Sequence, residues 1–121
     1  MKTRITAITL FVDDLRAARE FYARAFALAE HYSDEVSVVF DFDGTLVNLL
    51  LDTEAPGLIA PAPVGSGSRM QLTITVDDVD AAATELESRG VVLLNGPMDR
   101  PWGVRTLAFA DPAGHIWEFA R

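Results

Sequence analysis

No cysteine occurs among the 121 residues, and lysine occurs once, at Lys2. The first absence excludes disulfides, thiolate zinc sites and cysteine nucleophiles, and leaves the redox compartment open. The second argues against Schiff-base chemistry on a buried lysine. Basic residues are scarce altogether: Lys plus Arg total 10 against 18 for Asp plus Glu, a net charge of −8. Such a surface repels phosphate, so neither nucleic acid nor an anionic membrane is an expected partner. A cationic small molecule would be attracted, although an acidic balance also serves solubility. No apolar run reaches membrane-spanning length. The opening run Ile5 to Val12 lacks a small-residue cleavage site and leads straight into Asp13-Asp14, unlike a secretory leader. The cytoplasm is the expected compartment. Nucleophile-elbow, two-histidine-helix and dinucleotide-binding motifs are missing too.

What is present is apolar and repetitive. Half of the residues are hydrophobic, enough for one sizeable core in a chain of this length. Thr9-Leu10-Phe11-Val12-Asp13-Asp14-Leu15-Arg16-Ala17-Ala18 matches Thr73-Ile74-Thr75-Val76-Asp77-Asp78-Val79-Asp80-Ala81-Ala82 at a constant offset of 64. Both stretches read as a strand ending in an acidic pair that caps a helix. Leu15, Ala18, Phe21, Tyr22, Ala25 and Phe26 keep helical spacing in the first copy. Val79, Ala82, Ala83 and Leu86 do so in the second, which stops at Gly90. Capping explains Asp13 or Asp14, and Asp77 or Asp78, better than catalysis does.

Strand patterns follow each helix. Val36, Val38, Phe40 and Phe42 alternate with Ser37, Val39, Asp41 and Asp43, and Asp43-Gly44 is a two-residue hairpin signal leading into Thr45 to Asp52. In the second half Val104 to Ala110 and His115 to Ala120 flank the turn Asp111-Pro112-Ala113-Gly114. Thr53 to Gly67 is rich in Pro, Gly and Ala without helical or strand period, and reads as a linker. The layout is α+β within one domain spanning 1–121: a βαβββ module over 1–52, a linker over 53–67 and a second βαβββ module over 68–121.

These motifs resemble the vicinal oxygen chelate superfamily of glyoxalases, bleomycin resistance proteins and extradiol dioxygenases. The resemblance rests on Asp111-Pro112-Ala113-Gly114-His115-Ile116-Trp117-Glu118, on Val12-Asp13-Asp14-Leu15 with Phe21-Tyr22, and on Pro101-Trp102-Gly103-Val104-Arg105. It implies curved mixed sheets from two tandem βαβββ modules around a cavity, and a homodimer. It also implies that the enzymes' metal ligands would fall at Ala7, Asn48, Gln71 and Glu118. Ala7 has no donor atom, and an Asn48 amide is a poor transition-metal ligand. The resemblance therefore points toward the metal-free members of bleomycin-resistance type, and no cofactor is expected. His31, just past the first helix, is placed to cap its C-terminus. His115 faces away from Glu118.

Alternation alone assigns the faces. Ile8, Leu10 and Val12 suit packing under a helix, with Ala7, Thr9 and Phe11 opposite. Leu72, Ile74 and Val76 repeat the first set, with Gln71, Thr73 and Thr75 opposite. The mixed faces suit either a small-molecule pocket or the solvent side of an antiparallel sheet. Expected ligand contacts are Ala7, Thr9, Phe11, Asn48, Gln71, Thr73, Thr75, Trp102, Arg105 and Glu118. Gln71 is placed to donate to Glu118. Trp102 is a stacking wall or a loop anchor, and Arg105 meets an anion or lies on the surface. The expected function is metal-independent binding of a small planar or cationic molecule, a drug or a metabolite. The alternative is a lyase, isomerase or epimerase with Glu118 as base.

Overall fold

The computed structural model describes residues 1–121. The chain divides into two compact units, 1–66 and 67–121, so most of the linker belongs with the first. Each unit builds one four-stranded mixed sheet with a helix on one face.

In the first unit the order along the chain is β1 (Ala7–Val12), α1 (Leu15–Phe26), β2 (Glu30–Ser33), β3 (Ser37–Phe42) and β4 (Thr45–Leu51). The sheet order is β1-β4-β3-β2, with β1 parallel to β4 and the other pairs antiparallel. Asp14 is the N-cap of α1, its carboxylate accepting from the Ala17 amide at 3.0 Å. Helix α1 packs on β3 and β4. Tyr22 is fully buried between Phe26 and Phe40, at centroid distances of 5.6 and 6.1 Å, and Phe26 meets Phe42 edge-on. Each such side chain removed from water contributes roughly 1.5–3 kcal/mol. Asp43 and Gly44 turn the β3–β4 hairpin with φ of 54° and 99°, as a type I′ turn requires.

The second unit repeats this plan with β5 (Gln71–Thr75), α3 (Val79–Ser88), β6 (Leu93–Asp99), β7 (Arg105–Ala110) and β8 (Ile116–Ala120), in sheet order β5-β8-β7-β6. Asp78 caps α3 through the Ala81 amide. Asp111 and Gly114 close the β7–β8 turn with a backbone bond of 3.0 Å. The Asp111 carboxylate is buried and accepts from the amides of Ala113 and His115 and from the His115 ring at 2.8 Å.

Two readings change. His31 does not cap α1: it lies exposed in β2, and the helix ends at Ala27 in the left-handed conformation. The segment after β4 is not featureless, because Asp52–Glu54 forms a 3₁₀ turn and α2 spans Pro56–Ile59, opened by a proline at its first position. Strand β6 has no clean alternation because its register against β7 shifts twice.

Candidate functional site

In each unit the face turned away from the helix carries the polar groups. Register fixes its rows. In the first unit Thr9, Asn48 and Val39 lie side by side across β1, β4 and β3, with Tyr32 of β2 beyond. Ala7, Leu46 and Asp41 form the row on one side, and Phe11, Leu50 and Ser37 the row on the other. Thr9 and Ala7 are exposed, Phe11 and Asn48 are half-buried, and Leu50 is buried. The Asn48 side-chain oxygen is buried without a hydrogen-bond partner. A buried amide oxygen without a donor carries a desolvation cost, so it calls for a physical account. At the end of β2, Tyr32 donates to Asp34 at 2.8 Å, and Asp34 also takes the Val36 and Ser37 amides and the Ser37 hydroxyl. The Val36 amide, first, holds the Asp34 carboxyl below its ordinary value, and the bond to Asp34 raises that of the Tyr32 phenol.

In the second unit the corresponding row is Thr73, Glu118, Ala108 and Asn95 across β5, β8, β7 and β6. Thr75, Ala120, Thr106 and Met98 form the next row, and Gln71, Ile116 and Ala110 the one before. The Thr73 hydroxyl donates to Glu118 Oε1 at 3.0 Å. Glu118 is half-buried, and its second oxygen has no protein donor. Gln71 is exposed and makes no bond to Glu118; its neighbour two positions on, Thr73, fills that role.

Arg105 is not on this face. It shares the helix side of β7 with Leu107 and Phe109, and its guanidinium clasps the Asp80 carboxylate of α3 with two bonds of 2.9 Å and Asp99 with one of 3.0 Å. The bond from Arg105 holds the Asp80 carboxyl below its ordinary value, and the pair raises that of the guanidinium further. Odd and even positions of β7 face opposite ways, and Arg105 is in phase with the core. Trp102 is not a core anchor either, being 70% exposed.

Sequence reasoning missed Arg100. It donates to Thr106 Oγ1 at 2.9 Å and to Asn95 Oδ1 at 3.2 Å, two residues of the Glu118 face. Its guanidinium carbon lies 5.9 Å from the centre of the Trp102 ring. The signal was its place directly before Pro101-Trp102-Gly103, which turns the chain between β6 and β7.

The four positions at which the sequence resemblance would put the enzymes' metal ligands do not make a donor set here. Ala7 offers none, Asn48 and Gln71 offer neutral amides, and Glu118 offers one carboxylate already bonded to Thr73. No three His, Cys, Asp or Glu side chains converge anywhere in the structure. Three or more such ligands are what a stable transition-metal site requires.

Known proteins resemble the whole chain. Residues 4–119 match the Glyoxalase/Bleomycin resistance protein/Dioxygenase superfamily. An uncharacterized protein of Mycobacterium bovis is 29% identical over 126 aligned positions, covering 93% of this chain and 79% of that protein. A glyoxalase-related enzyme from Fulvimarina pelagi superposes with a TM-score of 0.86 at 28% identity, covering 98% of this chain and 88% of the other. A lactoylglutathione lyase from Agrobacterium tumefaciens does so with 0.80 at 26% identity, covering 99% and 94%. With two βαβββ units in tandem and this match along nearly its full length, the chain belongs to the glyoxalase, bleomycin resistance protein and dioxygenase superfamily.

Proposed function

We propose that this protein binds a small planar molecule on its polar sheet faces without a resident metal. The observation that carries this reading is the Asn48 amide oxygen, buried without a donor at a position where the family's enzymes hold metal. With the donorless Ala7 in the adjacent row, the first unit supplies an acceptor rather than a cation site. Glu118 supplies a second acceptor, oriented by Thr73 with one oxygen to spare. On either face a ligand that presents N–H groups, neutral or cationic, would meet such an acceptor, with Phe11 and Leu46 supplying apolar contact area in the first unit and Ile116 in the second.

Elemental analysis of protein purified from its own host tests the absence of metal. Less than a tenth of an equivalent per chain is expected. One zinc, nickel, iron or manganese per chain, lost on Glu118→Ala, would reject the proposal. The same preparation is expected to scatter light as a homodimer, since Leu94 and Met98 of β6, with Val92 just before it, leave exposed apolar side chains at this sheet edge. The mass of one chain would count against it.

A second reading has its own support. Lyase, isomerase or epimerase chemistry with Glu118 as general base fits its free oxygen and the similarity to the Agrobacterium lyase. Turnover of a hydroxyacyl thioester that is abolished by Glu118→Gln would favour it.

A further inference from the structure

We infer that Arg100 and Trp102 form an anion subsite on the Glu118 face, so that the ligand of the second unit carries an anionic group on a planar ring. The inference rests on the small-molecule reading above and names the chemistry of the ligand's far end.

The turn that presents these two side chains is closed twice. The Gly103 amide bonds the Arg100 carbonyl at 3.0 Å, and the Arg100 amide bonds the Val104 carbonyl at 2.7 Å. Pro101 restricts the backbone inside it. The guanidinium is fixed as well, because Nε is spent on Thr106 and Nη2 on Asn95. Thr106 is only 1% exposed, so this anchor lies beneath the arginine rather than in solvent.

Both anchors are neutral. Arg16, Arg19, Arg89 and Arg105 each pair with a carboxylate; of the arginines that do not, Arg4, Arg24, Arg69 and Arg121 are exposed and Arg100 alone is half-buried. A half-buried guanidinium held by neutral acceptors keeps its charge and retains free N–H donors. That is a preorganised receptor for a carboxylate or another flat oxyanion, which Arg binds through paired bonds. Trp102 stands next to it, exposed on a rigid turn, and offers a ring face to a planar ligand.

The spacing to Glu118 is set by the sheet. Asn95 and Glu118 are two strands apart, roughly 10 Å between backbones, with Ala108 between them. An alanine there leaves the floor between anion site and carboxylate flat, where the first unit has Val39. A ring bearing a donor at one end and an acid at the other spans that floor. The ligand class is therefore amphoteric: an amino-substituted aromatic acid rather than a simple cation.

Isothermal titration with p-aminobenzoate, p-aminobenzamide and aniline tests this. On the wild-type protein the acid is expected to bind roughly tenfold tighter than the neutral amide, the gain of a charge-assisted pair over a neutral one. Arg100→Gln, which keeps donors to Thr106 and Asn95, should reduce that preference to less than twofold without changing the melting temperature by more than a few degrees. Arg100→Lys should restore part of it. Glu118→Gln should weaken acid and amide equally, because it acts on the amine end. Equal binding of acid and amide to the wild type, or a preference that survives Arg100→Gln, overturns the Arg100 subsite while leaving the small-molecule reading intact. Failure of all three probes to bind overturns both.

Discussion

Thr73 donates its hydroxyl to Glu118 across the β5–β8 pair at 3.0 Å, whereas Thr9 and Asn48, which face each other across β1 and β4 in the same way, make no such bond. The repeat has kept the threonine and changed its partner. One module thus holds a carboxylate with one oxygen bonded, and the other an amide oxygen with no donor at all. An acceptor left idle in a folded protein is a stability cost retained for some other reason.

Replacing Asn48 with leucine tests that account. The substitution removes the orphaned oxygen and adds apolar volume beside Thr9 and Val39. Stability should rise by about 1 kcal/mol in urea unfolding, the order of the desolvation penalty released. Any ligand-induced rise in melting temperature should shrink or vanish. A destabilised Asn48→Leu protein would mean that the amide is satisfied in solution and that its role is structural.

The acid limb of the stability curve should depend on Asp80. Its carboxyl is held below the ordinary value, first by the hydrogen bond from Arg105. A depressed carboxyl contributes stability that is present above its unfolded pKa and is lost as pH falls through its folded pKa. Asp80→Asn should therefore lower the urea midpoint at neutral pH and converge with wild type in strong acid. Both groups are solvent-exposed, so the difference will be small and will shrink further in high salt. Parallel curves across the whole acid range would show that the Arg105 clasp contributes nothing.

The helix caps offer a cleaner measurement. Asp14→Ala and Asp78→Ala each leave the amide of Ala17 or Ala81 without its acceptor and should each cost about 1 kcal/mol. Asp13→Ala and Asp77→Ala should cost less than half of that. Equal losses within each pair would mean that charge near the helix terminus, rather than the hydrogen bond, is what matters.

The same aspartates illustrate what could be read from the sequence. A strand, an acidic pair and a 3.6-residue period occurring twice specify two modules, because cap chemistry and amphipathic spacing are local. The inward strands β3, β4, β7 and β8 were legible for the same reason. Strand β2 was not, since Glu30-His31-Tyr32-Ser33 is exposed throughout and pairs on one side only. The faces of β1 and β5 followed from parity, but the row did not: Gln71 was expected beside Glu118, and the register of β5 against β8 puts Thr73 there instead. The position of Arg100 did not follow either, because it depends on the irregular pairing of β6 with β7 around Gly96 and Pro97. Arg105 was misplaced for a simpler reason: nothing in its own hexapeptide announces Asp80, 25 residues earlier, as its partner.

That irregular pairing leaves no room for a side chain at Gly96. Gly96 has a φ of +82°, and a Cβ placed there would collide with the Thr106 carbonyl oxygen and come within 2.7 Å of the Leu107 Cα. Both obstacles are backbone, so no side-chain rotation relieves them. Strand β6 would have to move off β7, which separates Asn95 of β6 from Thr106 of β7, the two residues that hold Arg100 in place. Gly96→Ala should therefore cost at least about 2 kcal/mol, the strain of a left-handed alanine plus the clash. It should also abolish the preference for p-aminobenzoate over p-aminobenzamide. Gly57 is the control. It sits in α2 without a positive φ, and a Cβ there meets nothing within 4 Å, so Gly57→Ala should be neutral or mildly stabilising. If Gly96→Ala unfolds at the same urea concentration as wild type, the close approach of β6 to β7 does not hold in solution, and the anchoring of Arg100 loses its structural basis.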